Sequence, residues 1–193
     1  MNHKHYYCKI SSFKQVSNKM FISDPTYEYV HKEHLPNSRL MKLNLKIDDI
    51  LPGLWNVYLS IDSREIDHNA ELICLHHTQN IYSEMDKEYN WIKTGDIGVD
   101  SDQAGIYDFK YYRRKNNGSK YDNEVWNTIN YNITIKPTDY AGSLTHGAVS
   151  SSGFGDGFYN VYKILDQDLK IIGIKIIFID DDNINKYKKL QFY

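Results

Sequence analysis

At 193 residues and 22.7 kDa the chain can bury one real core and is short for two ordinary domains, so a single domain spanning 1–193 is expected. Hydrophobic residues at 41% and charged residues at 25% exclude a disordered chain. Lys and Arg number 23 against 25 Asp and Glu, a formal charge of −2, which excludes an overall basic field for recruiting nucleic acid.

Along the chain, a first strand is expected around Tyr6 to Ile10, and Ser23-Asp24-Pro25-Thr26 is a turn signal because Pro fixes the next φ. Tyr27 to His34 reads as a short helix ended by Leu35-Pro36-Asn37. Leu40 to Ile47 and Leu54 to Ile61 alternate apolar with polar and read as half-buried strands joined through Pro52-Gly53. Ala70 to His76, Ile97 to Val99 and Ile106 to Tyr112 are further strands, the last two flanking a polar loop at 100–105. Asp122 to Tyr131 carries an N-cap and Val125, Trp126 and Ile129 at helical spacing, and Ile133 to Ile135 reads as a strand after it. Tyr159 to Leu165 and the nearly all-apolar Ile171 to Ile179 complete the pattern. No internal repeat or linker is evident. The expected fold is mainly β, a β-rich α+β domain with a mostly antiparallel sheet or sandwich and one or two short helices.

Cys8 and Cys74 are far apart and lack metal-ligand spacing, which fits reduced, buried thiols. The N-terminus MNHKHYYCKISSF has no signal-peptide core and no apolar run is long enough to cross a bilayer, so a cytoplasmic location is expected. Neither His76-His77 nor His31-Lys32-Glu33-His34 completes a zinc motif. Tyr111-Tyr112-Arg113-Arg114-Lys115 interleaves rings with cations, yet the following Asn116-Asn117-Gly118-Ser119 reads it as a solvated hairpin tip rather than a single-strand binder.

The stretch VSSSGFGDGF at 149–158 sets three serines against Gly153, Gly155 and Gly157 around Asp156. Alternating glycines let several N–H groups converge on an anion, although a tight turn explains the same residues. It is neither a Walker loop, a dinucleotide fingerprint nor a GxSxG elbow. The loop at Asp100-Ser101-Asp102-Gln103-Ala104-Gly105 imitates a calcium loop but has Ala104 and Tyr111 where oxygen ligands belong. Mg²⁺ or Ca²⁺ on Asp100, Asp102 and Asp156 is one alternative, an Asx-turn network the other.

Four segments, SDPTY at 23–27, PGLWNV at 52–57, VDSDQAGIYD at 99–108 and VSSSGFGDG at 149–157, together resemble an uncharacterised family of bacterial and viral domains with S-D-P-C-Y, P-G-x-W, V-D-S-G-Q-A-G and S-S-S-G-Y-G-D-G motifs. Thr26 stands in place of the family's Cys, which argues against a cysteine nucleophile there, and Asp102 in place of its Gly. Because the motifs are polar loops, the resemblance implies a site. Its expected residues are Asp24, Tyr27, Asp100, Ser101, Gln103, Ser151, Ser152, Gly153, Phe154, Gly155 and Asp156. The expected function is binding of a small anionic ligand such as a nucleotide-derived signal, with Tyr27 or Phe154 stacking on it. Abundant Asn, Lys, Ile and Tyr resemble AT-rich phage and viral coding, under which the ligand would be a host defence signal sequestered in the host cytoplasm. The alternatives are a metal-assisted hydrolase or phosphodiesterase using Asp100 and Asp156, and an immunity-type protein-binding module.

Overall fold

The computed structural model describes residues 5–28, 43–62, 68–79, 90–135, 139–180 and 184. Its elements follow in the order β1 (His5–Gln15), β2 (Lys19–Ser23), β3 (Asn44–Asp48), β4 (Gly53–Asp62), β5 (Asn69–His76), β6 (Ile92–Val99), β7 (Gln103–Asp108), α1 (Asn123–Thr134), β8 (Ala141–Leu144), β9 (Gly147–Ser151), β10 (Gly157–Leu165) and β11 (Ile171–Ile177). The strands form two antiparallel sheets, ordered β1-β4-β5-β11-β10-β6 and β3-β2-β7-β9-β8. Alternation places Trp55, Val57 and Leu59 of β4 in one core with Met20, Ile22 and Ile106 of the smaller sheet. Tyr58 and Ile73 face the opposite way, into a second cluster. Phe21 and Tyr107, on the outer side of the smaller sheet, pack with Tyr112 and with Trp126 of α1. The mainly β single domain is as expected. No helix among the described residues is long and apolar enough to cross a membrane.

Several expected elements differ. Ile133 to Ile135 is not a strand but the end of α1, where the Ile135 N–H still donates to the Tyr131 carbonyl at 3.0 Å. Here tertiary packing overrides the strand preference of β-branched residues. Asp122 caps the helix, accepting from the Glu124 N–H at 2.9 Å. Residues 109–113 are turns rather than the end of a strand. β8 and β9 escape a hydropathy search because Ala, Gly and Ser dominate them, so Val149 to Ser151 of the serine stretch is ladder and not loop. Tyr27 and Glu28 are irregular, and the rest of the helix expected to His34 lies outside the described residues.

The order of strands is palindromic, which overturns the expectation of no internal repeat. β1, β4 and β5 fill one half of the larger sheet as β6, β10 and β11 fill the other, and β2 and β3 mirror β7 and β9. The registers agree. Ile22 faces Ile106 at the middle of one sheet, and Ile73 faces Lys175 at the middle of the other. β1 is bulged between Lys9 and Ser11, and β6 skips between Lys93 and Gly95 at the corresponding place. Gly-Leu-Trp-Asn-Val-Tyr at 53–58 corresponds to Gly-Phe-Tyr-Asn-Val-Tyr at 157–162. Trp55 Nε1 donates to the Leu51 carbonyl at 2.9 Å, and the Tyr159 hydroxyl to the Gly155 carbonyl at 2.6 Å, each four residues back. Asp49 and Gly153 share a left-handed φ of 64° and 66°. The chain is two copies of one β-unit about a pseudo-two-fold axis, and among the described residues α1 and β8 are seen in the second copy.

Candidate functional site

Each copy crosses from the larger sheet to the smaller through a turn that holds a serine, and its next strand ends in an aspartate. The aspartate of one copy clasps the turn of the other. Asp24 is fully buried and accepts from the Asp100 and Ser101 N–H groups at 2.9 Å each, from Ser101 Oγ at 2.7 Å, and from Thr26 N and Oγ1 at 2.8 and 2.7 Å. Asp108, also fully buried, accepts from Val16 N and Ser17 N at 2.6 and 2.9 Å, from Ser17 Oγ at 2.6 Å, and from Lys110 N at 2.9 Å. Two of the expected site residues, Asp24 and Ser101, therefore direct their polar atoms into a clasp that recurs at Asp108 and Ser17, where no site was expected.

The Asp24 clasp joins the three motif loops. Tyr27 donates its hydroxyl to Asp100, and the Ser152 N–H donates to the Asp102 carbonyl at 3.0 Å. Gly155 holds φ at 98°, and a Cβ there would stand 2.6 Å from Asp102 Oδ1, so glycine lets that carboxyl approach. Asp102 and Asp156 share a hydrogen bond; partial withdrawal from water, then the Asp156 charge and that bond, hold the Asp102 carboxyl above its usual range. Burial first, then Asp100, push the Tyr27 hydroxyl up, and burial pushes Tyr159 up to about 12. The corresponding positions in the first copy are Val16 for Asp100, Asn18 for Asp102 and Pro52 for Asp156. The clasp belongs to both copies, whereas the three extra carboxylates belong to one.

The serine and glycine stretch is largely satisfied from within. Ser151 N donates to the Tyr140 carbonyl at 2.8 Å, Gly155 N to the Ser152 carbonyl at 3.4 Å, and Ser152 Oγ to the Gly155 carbonyl at 2.8 Å. Asn69 Nδ2 lies 2.9 Å from Ser150 Oγ and 3.2 Å from Ser151 Oγ. Gly153 is pressed on the Asn69 carbonyl and Phe178, where a Cβ would come within 3.1 and 3.0 Å. Phe154 sets its ring edge-on to His68 with centroids 5.4 Å apart. Gln103 pairs with Ser151 in the β7 and β9 ladder, and its buried Oε1 finds no protein partner.

A cleft that the sequence did not mark opens beside Glu28. It measures about 410 Å³ and is lined by Lys110, Arg113, Arg114 and Lys120 with Phe109 and Tyr112, opposed among the described residues by one acid, Glu28. The Tyr112 hydroxyl donates to the Tyr27 carbonyl at 2.5 Å, and Trp126 Nε1 to that of Pro25 at 2.8 Å, fixing the segment that leads to Glu28. Arg113 is 5% exposed and held at a left-handed φ of 56°. Its Nη1 donates to the Thr26 carbonyl at 3.3 Å and stands 3.9 Å from Glu28, while its buried Nε has no partner. Lys120 Nζ lies 3.3 Å from Glu28, whose carboxyl is held below its usual range first by the Lys120 hydrogen bond and charge. The expected hairpin tip is exposed from Arg114 to Lys120, whereas Arg113, within the same run of rings and cations, is buried.

Among the described residues no three His, Cys, Asp or Glu side chains converge as metal ligands, and Cys8 and Cys74 are free. His31 and His34 lie outside the described residues. Comparison with protein-family models, with curated proteins and with solved structures finds no match to this chain.

Proposed function

We propose that the protein binds a small ligand carrying an anionic group, and that the anion is held in the cleft of Lys110, Arg113, Arg114 and Lys120. The observation that carries this reading is Arg113. A guanidinium offers five N–H donors, and burying one without anionic partners is costly. Arg113 is nonetheless buried and strained, with one carbonyl, one distant carboxylate and an unpaired Nε. Among the described residues the four cations face one acid, in a chain whose formal charge is −2. Glu28 marks a position that carboxylate oxygens already occupy. The Asp100, Asp102 and Asp156 side favours hydroxyl or amine groups over an anion, since its own charges repel one.

Titration calorimetry with inorganic phosphate, pyrophosphate and a nucleotide panel tests the proposal. Arg113→Gln is expected to weaken binding at least tenfold, and Lys120→Gln, at an exposed position that leaves folding intact, severalfold. Wild-type protein that gives neither heat nor a thermal shift with any of these anions refutes it.

A second reading, a hydrolase, draws on the hydrogen-bonded Asp102 and Asp156 pair, in which partial burial, then the Asp156 charge and that bond, hold the Asp102 carboxyl above its usual range. Hydrolysis of a phosphodiester with Mg²⁺ that disappears in Asp156→Asn while anion binding persists would favour it.

A further inference from the structure

A second cavity, of about 280 Å³, opens between α1, the 111–121 hairpin and the β8 to β9 turn. Its walls are the rings of Tyr111, Tyr121 and Trp126 and the side chain of Ile133, and Arg114 and His146 stand among its polar lining. Tyr111 stacks on His146 with centroids 3.9 Å apart and planes within 15°, and His146 Nδ1 lies 2.8 Å from the Lys14 carbonyl. The aromatic wall is therefore anchored before any ligand arrives. Whole-ligand pockets span roughly 300–1,000 Å³, so this cavity suits one part of a ligand. Arg114 also lines the cationic cleft, which puts one guanidinium at the edge of both.

From these observations we infer that the ligand is an aromatic ring joined to a phosphate-like group, as in a nucleoside phosphate, with the ring in this cavity and the anion in the cationic cleft. The inference rests on the anion-binding proposal and adds to it a chemical class. Flat rings stack on tyrosine and tryptophan whatever their substituents, and an arginine at the junction serves both the ring face and the phosphate oxygens. His146 and Asn116, both on the lining, offer hydrogen-bonding groups to a ring edge. The cavity is built largely from α1, β8 and the hairpin, all between β7 and β9.

The test compares pyrophosphate with ADP, GDP, CDP and UDP by calorimetry and by tryptophan fluorescence. At least one nucleotide is expected to bind ten times more tightly than pyrophosphate and to change Trp126 emission. Ile133→Trp, and independently Ser143→Tyr, fill the cavity and are expected to remove that tenfold excess. Pyrophosphate binding, unchanged in these variants, reports that they are folded. Equal affinity for pyrophosphate and all four nucleotides, or an excess that survives both fillings, overturns the ring subsite and leaves the anion site standing. No binding of any of the five overturns the anion site and this inference with it.

Discussion

Asp102 stands where the first copy carries Asn18, and the difference creates a carboxyl pair. Its pKa is raised in the folded chain, so the folded state holds more proton than the unfolded one in the interval above the ordinary Asp value. Stability contributed by that proton is present below the unfolded pKa and is lost as pH rises through the folded one. Asp102→Asn is therefore expected to raise Tm at neutral pH, with the gain shrinking to nothing as pH falls below the usual Asp range. Asn tolerates the left-handed φ of 56°, so backbone conformation does not oppose the change. A gain that does not vary with pH would assign the effect to the backbone alone. At this scale the loops that the sequence pattern singled out do meet: Tyr27 donates to Asp100, and the Asp156 charge also acts on the Tyr27 hydroxyl. The pattern missed Arg113, because nothing in YYRRK distinguishes a buried cation from the solvated ones beside it. It also read Asp24 and Ser101 as contacts for a ligand, and in the structure they hydrogen-bond to each other across 77 residues of chain.

Among the elements, β2 and β7 depend on their clasps. Replacing Asp24 by Asn turns an acceptor oxygen into a donor that faces other donors, and at least one buried N–H loses its partner. We expect a cost of about 2–4 kcal/mol in chemical denaturation for Asp24→Asn and a similar cost for Asp108→Asn. Parity is the informative outcome, since four donors correspond between the two carboxylates and Thr26 Oγ1 on Asp24 alone has no counterpart. If only Asp24→Asn destabilises, the clasps are not equivalent. Long alternating strands such as β4 and β10 were legible because one face is apolar. β8 and β9 were not, since Ala141, Ala148 and Gly147 are buried by close approach of neighbouring strands rather than by side-chain bulk. The last turn of α1 was hidden by Asn132-Ile133-Thr134-Ile135, a run whose local preference is for strand.

For the whole molecule, the two copies meet through the β2 and β7 ladder in one sheet and the β5 and β11 ladder in the other, so neither copy owns a sheet. Unfolding is expected to be a single transition, with far-UV circular dichroism and tryptophan emission giving coincident midpoints. Two resolved transitions would mean that the copies are separable folding units. The repeat was nearly invisible in the sequence: its clearest trace is the shared Gly-x-x-Asn-Val-Tyr, together with a serine seven residues before an aspartate in each copy.

The middle of the larger sheet carries a further consequence. In a homodimer of identical chains, residues facing each other across the axis must be the same. Two lysines there would repel, while two isoleucines would carry no charge. Here Ile73 faces Lys175, and Lys175 pairs with Glu71 at 3.1 Å and lies 4.7 Å over the Trp91 ring, in side chains only 13% and 6% exposed for Lys175 and Glu71. Covalent continuity releases the axis from self-complementarity, and the same release lets one end of the molecule gather carboxylates that the other end lacks.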